Sequence, residues 1–575
     1  MHQDKTNKLR GFLYASRYIF VAVALFSLLL NLLMLVSPFY MLQIYDRVLT
    51  SRSKDTLYAL TLLAAGLLAL SATLDLVRAR ILTRLGTQLE RHMMPDLFAA
   101  LIEDRVSTRK AVGTQPIRDF ETLRSFLNGP GLTAFFDAPW MPFFLTIIFL
   151  FHPWLGTVAL CGALLLFVIA LLSETTTRQN LREASLNSLQ AHRFAESSLR
   201  NADVIWAMGM RRDLRRRWQQ KHLGALAYTG AAADRLALFS AMVKFARPLV
   251  QMTVLGLGAY LVIEQQISAG VMIAASIIMG RALAPVEASI THWRSFVSAR
   301  LAYGRVVQML RAHERSQTKM ALPAPIGAIS VESATLVPPG ASKPTLMNIS
   351  FKLAPGELLG VIGPSAAGKS CLARMLMGIW PPKMGHVRLD GADIAEWDRE
   401  QLGGYVGYLP QDVELFDGTV AENIARFQEI SPDAVVQAAQ IANAHELILR
   451  LPKGYETQIG EGGSILSGGQ RQRVGLTRAI YQLPRLVVLD EPNANLDAEG
   501  EAALRLTLQQ LKELSRTVIV ISHKQGPLAD ADKLLVLECG KMLTFGPKDE
   551  VLKALWKPQA VNTQPRAVGM VMRER

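Results

Sequence analysis

Residues 138–173 form 36 consecutive positions without an aspartate, glutamate, lysine or arginine. About 20 apolar residues suffice for one helix to cross a bilayer, so this run is too long for a single crossing. His152-Pro153-Trp154 interrupts it, and the segment reads as a helical hairpin, 138–151 and 155–173, whose first helix begins nearer Gly131. Asp137 then sits at the membrane interface or faces protein. That requirement commits the first half of the chain to an all-helical membrane domain, because in lipid every backbone polar group must be satisfied within the segment.

Other runs fit the same scheme. Tyr18–Tyr45 carries no charge and is too long for the core of a cleaved signal, so Tyr18–Phe39 is a retained first span. Thr56–Leu74 is the second. Pro248–Ile263 and Gln265–Gly280, separated by Glu264, extend towards Phe239 and Pro285 and supply the fifth and sixth; Lys244, Arg247 and Arg281 near their ends can snorkel. Residues 174–247 hold 13 Lys and Arg against 6 Asp and Glu. That bias marks cytoplasmic loops and puts both termini inside. It also accounts for much of the net charge of +14 without nucleic acid, for which no base-stacking or zinc motif is present.

Residues 78–137 and 174–247 keep helical periodicity, so the helices continue well beyond the membrane. Each excursion reverses, at 111–116 and at 201–209. The segments after the reversals, 117–127 and 204–210, are expected to be short helices that touch a soluble domain. The three cysteines, Cys161, Cys371 and Cys539, lie far apart and suggest neither a disulfide framework nor a metal site.

Beyond the proline-rich segment 322–325 the chain becomes ordinary α/β sequence. A buried strand, 358–362, feeds Gly363-Pro364-Ser365-Ala366-Ala367-Gly368-Lys369-Ser370, and a helix follows: the setting a phosphate-binding loop requires. Backbone N–H groups and the helix start cradle phosphates, Lys369 neutralises them, and Ser370 offers a hydroxyl to Mg2+. The apolar strand 486–489 ends in Asp490 and Glu491. Asp490 is placed to hold Mg2+, and Glu491 to polarise an attacking water. His523 follows the strand 518–522 and is a candidate γ-phosphate contact; Gln411 can reach metal and water. Leu415 and Phe416 beyond it are expected to be an exposed docking surface.

Leu466-Ser467-Gly468-Gly469-Gln470 opens another helix, a second anion-binding helix start about a hundred residues from the phosphate loop and without a phosphate of its own. Two copies arranged head to tail would give each ATP one loop from each subunit.

This order of phosphate loop, Gln411, LSGGQ, Asp490-Glu491, Asn495-Leu496-Asp497 and His523 resembles the ABC ATPases over about residues 327–550. With six spans ahead of it, the chain resembles an ABC exporter half-transporter that works as a homodimer. Segments 37–49 (SPFYMLQIYDRVL) and 136–142 (FDAPWMP) look like the alkaline-protease branch of type I secretion ABC exporters. The resemblance implies ATP and Mg2+ as cofactors, and Asp497 together with Leu466–Gln470 as contacts to ATP held by the other subunit. It further implies a Gram-negative inner-membrane complex with a periplasmic adaptor (a membrane fusion protein) and an outer-membrane channel. The cargo would be an unfolded protein with a C-terminal signal, and membrane lipid would surround the spans. An exporter of lipid or hydrophobic small molecules is the alternative.

Two departures stand out. Many ABC ATPases stack adenine on an aromatic side chain just after the first strand, where this chain has Leu336-Val337-Pro338-Pro339. Some related exporters carry an N-terminal cysteine peptidase domain; the first cysteine here falls within a span, so leader cleavage is not expected. The expected organisation is a cytoplasmic segment 1–17, a six-helix transmembrane domain 18–310, a linker 311–328, an α/β nucleotide-binding domain 329–552 and a basic tail 553–575.

Overall fold

The computed structural model describes residues 8–108, 115–316, 322–524 and 526–555. Residues 111–114 of the reversal expected at 111–116, part of the linker, and residues 556–575 of the tail lie outside them; Gln115 and Pro116, expected in that reversal, instead open the helix Gln115–Asn128, where a proline in the first turn is tolerated. The chain divides into two compact units, one of residues up to Arg315 apart from 106–109, the other chiefly from Ser316 onward.

In the first unit six helical stretches among the described residues are long and apolar enough to cross a membrane: Arg17–Ser51, Lys54–Thr108, Pro130–Phe151, Pro153–Leu199, Arg211–Ile263 and Ala269–His313. The hairpin breaks at His152, whose backbone is extended (φ −163°, ψ 136°) and whose side-chain Nδ1 caps the next helix by accepting from the Trp154 N–H at 3.3 Å. The last span opens at Ala269, later than the apolar run from Gln265 suggested, because Gln265 (φ +55°) turns the chain. Helices of 47 to 55 residues are about 70–80 Å long at 1.5 Å per residue, far beyond a bilayer's thickness. The last of them continues to Ser316, into the segment that composition assigned to a linker.

Small residues let these helices approach. Pro153–Leu199 and Arg211–Ile263 pack along each other, and a Cβ on Gly162 would lie 2.4 Å from Val250 Cγ1. Leu155, Ala159, Leu166 and Val254 are fully buried in the same cluster. By contrast, no residue in the most apolar window of Lys54–Thr108 is buried, as suits a face that meets lipid.

Several charges inside this unit are paired. Asp137 Oδ1 accepts from Arg78 Nη1 (3.0 Å), Asn31 Nδ2 (3.2 Å) and the Ser27 hydroxyl, joining three spans. Asp46 lies in a π-helix, Ile44–Val48, within the SPFYMLQIYDRVL segment. It accepts from Ser268 Oγ (2.5 Å) and from the N–H of Gly270 (2.9 Å), so a carboxylate caps the start of the last span. A Cβ at position 270 would lie 2.5 Å from Asp46 Oδ1, which explains the glycine.

Of the two expected short helices, the first is Gln115–Asn128 and the second Ala202–Ala207. Arg305 on the last long helix grips the buried Asp119 of the first through two bonds, 2.6 and 2.7 Å. That bidentate pair fixes the helix to its own unit.

The second unit is α/β. Strands β1 (Ile329–Leu336), β2 (Leu346–Leu353), β4 (Met384–Leu389) and β5 (Ala392–Asp393) make an antiparallel sheet in the order β2-β1-β4-β5. A larger sheet contains β3 (Leu358–Ile362), β6 (Val406–Leu409), β7 (Leu486–Asp490), β8 (Thr517–Ile521), β9 (Lys533–Glu538) and β10 (Lys541–Pro547), ordered β10-β9-β3-β8-β7-β6. All its pairings are parallel except β10 with β9. Side chains alternate across it: Leu358, Val487, Leu489, Val518 and Val520 pack into one core, Leu359, Val361, Val488, Ile519 and Ile521 into the other. Burial on both faces explains why these strands read as unbroken apolar runs.

Candidate active site

In a parallel sheet covered on both faces, the loops that leave the carboxyl ends of the strands share one edge. Here those loops carry Gly363 after β3, Gln411 after β6, Glu491 after β7 and His523 after β8. The residues picked from four separate stretches therefore meet because of strand order.

The phosphate loop needs its glycines for space as well as conformation. Gly363 has φ +156° and Gly368 φ +99°. Added Cβ atoms would lie 2.2 Å from the Leu537 carbonyl oxygen and 2.7 Å from Leu346 Cδ2. Ala366, a non-glycine at φ +65°, holds local strain within the loop. Lys369 begins the helix Lys369–Leu376, and its Nζ donates to the carbonyls of Gly363 and Pro364, both at 2.9 Å, which leaves one hydrogen for a further acceptor. Burial lowers its pKa, opposed by the nearby charges of Glu491 and Asp490.

Asp490 is 1% exposed, and neither carboxylate oxygen makes a hydrogen bond among the described residues. Burial pushes its pKa up; the Ser370 hydroxyl is near enough to pull it down, though not at bonding geometry, and Glu491 adds to the rise. Burial also pushes the neighbouring Tyr408 phenol up to about 12. A buried carboxylate with two free oxygens beside a hydroxyl is a donor set that fits a hard cation such as Mg2+. No cluster of three or more His, Cys, Asp or Glu among the described residues could hold a metal alone. A cation at Asp490 would therefore draw on Ser370, Gln411 and phosphate oxygens.

Glu491 takes φ +51° and donates its N–H to the Ile521 carbonyl at 2.9 Å. Its carboxylate lies between two side chains: Gln411 Nε2 donates to Oε2 at 3.2 Å, and His523 Nε2 stands 3.3 Å from Oε1. One strand further, Ser522 Oγ donates to Asn493 Oδ1 at 3.1 Å, with both residues buried, and ties the ends of β7 and β8. A carboxylate oriented in this way beside a phosphate loop can polarise a water.

The LSGGQ segment caps the helix Gly468–Ile480 with a reciprocal box: Ser467 Oγ accepts from the Gln470 N–H (3.2 Å), and Gln470 Oε1 accepts from the Ser467 N–H (2.9 Å). Asp497 caps Ala498–Glu513 and lies 3.6 Å from Arg473 Nη2. Ser467 is exposed, but the Leu466 side chain is 5% exposed and belongs to the core beneath, so it supports the loop instead of facing outward. Leu415 differs from expectation in the same way. It is 3% exposed, packed against Gly463, while Phe416 alone is exposed, edge-on to Phe427 at 5.7 Å.

Phosphate loop, Asp490, Glu491, Gln411 and His523 thus come together. Residues 466–470 and Asp497 do not join them: among the described residues no hydrogen bond or ion pair links LSGGQ to the phosphate loop. The connection runs through Gln472, 3% exposed, whose Nε2 donates to the Pro492 carbonyl (3.2 Å) and the Glu491 carbonyl (3.5 Å). Gln472 and Asn493 escaped the sequence reading, although each lies within two residues of a motif. Nothing in residue type distinguishes a buried bridging amide from a solvated one.

Residues 346–494 match the ABC transporter family, and residues 20–285 match the ABC transporter transmembrane region. The chain is 44% identical to the type I secretion system ATP-binding protein PrsD of Rhizobium meliloti (strain 1021), over 95% of this chain and 94% of that protein. It is 29% identical to the cyclolysin secretion/processing ATP-binding protein CyaB of Bordetella pertussis, covering 94% of this chain and 76% of the other. Identity to the leukotoxin translocation ATP-binding protein LktB of Mannheimia haemolytica is also 29%, over 93% and 77%. Among solved structures, a bacterial Atm1-family ABC exporter with ATP bound matches with a TM-score of 0.80 at 23% identity, over 94% of this chain and 96% of that one, and shows the shared fold.

Proposed function

The chain belongs to the ABC exporters of type I secretion systems, a multi-pass membrane ATPase that drives protein secretion, and from that premise we propose that it works as an inner-membrane homodimer. Its cargo on this reading is an unfolded protein with a C-terminal signal, passed to a periplasmic adaptor and an outer-membrane channel. The observation that carries the dimer is the separation of two anion-binding helix starts, Lys369–Leu376 and Gly468–Ile480, in one nucleotide-binding unit. A second copy turned head to tail supplies Ser467, Gly468, Gly469, Gln470 and Asp497 to ATP held by residues 363–370 of the first.

In that closed site the backbone of 363–370 wraps the phosphates and Lys369 neutralises them. Mg2+ at Asp490, Ser370 and Gln411 supplies further charge neutralisation when bound. Glu491 takes the proton from the attacking water, and its carboxylate is aimed by Gln411 and His523. His523 also steadies the γ-phosphate. Gln472 carries the position of the LSGGQ helix to the Glu491 backbone, so closure from the partner and the geometry of the base are linked. The long helices pass that movement to the spans.

The test of cargo is the ATPase rate of the purified full-length protein with a synthetic C-terminal secretion-signal peptide or with added lipid. A saturable response to the peptide supports protein export. A response to lipid alone would assign the chain to export of amphiphiles.

A further inference from the structure

Helix Gln115–Asn128 and the last long helix, Ala269–Ser316, enclose a groove of about 570 Å3. Arg118, Glu121, Thr122 and Ser125 line it at helical spacing from the first, and His292, Arg294, Ser295 and Ser298 from the second. Gly131 closes one end: a Cβ there would lie 2.8 Å from Phe126 Cε2 and 3.6 Å from His292 Cβ. A Cβ at Gly86 would strike the Asn128 amide, so that end is level with Gly86, twelve residues beyond Leu74. Those residues add about 18 Å of helix past the apolar run 56–74, whereas the headgroup layer of one leaflet is only about 5–8 Å deep. The groove therefore lies clear of the bilayer, on the same side as the basic segment 174–247, the cytoplasmic one.

Its positive charge is uncompensated. The exposed side chains of Arg118 and Arg294 make no hydrogen bond or ion pair among the described residues, whereas Arg124 and Arg305 on the same two helices hold Glu90 and Asp119. Glu121 is the one acid among the described lining residues, so two guanidiniums against one carboxylate leave +1 with His292 neutral. That balance matches a single carboxylate, while a phosphate dianion would be repelled by Glu121. The start of helix Pro130–Asp137 adds positive potential at the Gly131 end. Phe126 offers an apolar rest for a residue beside the carboxylate. The hydroxyls of Thr122, Ser125, Ser295 and Ser298 can bond to the backbone of an extended peptide.

We propose that this groove receives a carboxylate of the cargo's C-terminal signal, held by the guanidiniums of Arg118 and Arg294. The inference rests on the reading of the cargo as an unfolded protein with such a signal. A guanidinium offers a planar carboxylate two parallel N–H donors, which gives the contact direction as well as charge. The carboxylate is either the terminus of the cargo chain or an acidic side chain near it, and the chemistry of capture is the same.

The test titrates full-length protein in nanodiscs into the synthetic secretion-signal peptide used for the cargo, now labelled with fluorescein at its amino end, and reads anisotropy. Three forms are compared: the free acid, the C-terminal amide, and the free acid with its aspartates and glutamates replaced by asparagine and glutamine. At least one altered form should bind about tenfold more weakly, the size of one charge-assisted contact, and the form affected identifies the carboxylate. Arg118→Gln with Arg294→Gln, both at exposed positions, should bind every form as weakly as the natural protein binds the weakest. Arg118→Lys with Arg294→Lys keeps the charge and should restore part of the preference. Equal binding of the three forms by the natural protein overturns the proposal, and so does a preference that survives the glutamine pair. Equal binding beside a saturable ATPase response to the peptide removes the groove and leaves the protein-export reading standing; neither binding nor response removes both.

Discussion

His523 Nε2 lies 3.3 Å from Glu491 Oε1, so a histidine from the end of one strand aims a carboxylate from the end of its neighbour. Thirty-two residues separate them in sequence, and parallel pairing of β7 with β8 brings them together. On the proposed mechanism Glu491→Gln keeps the shape and the Gln411 neighbour but removes the base. ATP binding should persist while hydrolysis falls at least about a hundredfold, the usual contribution of a general base. Nucleotide binding measured beside single-turnover hydrolysis checks this; near-normal turnover would reject the role.

Gln472 offers a test of the link between the LSGGQ helix and the catalytic strand. Gln472→Leu fills the same space without donating to the carbonyls of Glu491 and Pro492. The maximal ATPase rate should drop with little change in the ATP concentration at half-maximal rate, and stability should fall by about 1–3 kcal/mol from two unpaired buried carbonyls. Equal loss in both kinetic parameters would point to a damaged nucleotide pocket.

Asp490 trades stability for function. Burial raises its pKa above the ordinary carboxylate value, so below that ordinary value folded and unfolded chains are both protonated and burial is not opposed. As pH rises through the raised folded pKa, the folded state must accept a buried charge that the unfolded chain carries in water, and this contribution to stability is lost. At neutral pH, without nucleotide or Mg2+, Asp490→Asn should therefore melt at a higher temperature than the natural protein while losing ATPase activity. A lower melting temperature contradicts the assignment.

Asp137 is expected to matter for the membrane unit alone. Asp137→Ala leaves Arg78, whose side chain is 10% exposed, with Asp75 (2.8 Å) as its remaining carboxylate and removes the acceptor of Asn31 and Ser27, a loss of about 1–3 kcal/mol. The double variant Asp137→Ala with Arg78→Met should recover much of that loss. Thermal melting in detergent reads both, and an additive result would show that the two do not interact.

Much of this was legible in the chain because membrane and phosphate chemistry each impose a pattern. The uncharged run 138–173 had to become two helices, with Pro153 at the break, and the glycines at 363 and 368 had to precede a helix. Paired burial was not legible. Leu415 and Leu466 flank functional segments but point into the core, and a short segment has no period from which to tell the difference. Likewise Gln265 looked like part of the last span until its left-handed backbone placed it in the preceding turn. The partners of Asp137 and Asp46 come from residues 59 to 224 positions away and depend on helix packing that no local pattern encodes.

The account rests on ATP being clasped by two different copies of the chain. The direct measurement is ATPase activity of reconstituted mixtures in which natural protein is combined with increasing amounts of a doubly inert copy, Lys369→Ala with Ser467→Arg, after subunit exchange. If both sites must close together, activity falls as the square of the natural fraction, reaching about a quarter at equal amounts, because only pairs of intact copies work. A decline in simple proportion to the natural copies would mean that each chain hydrolyses ATP alone, and would contradict the shared site.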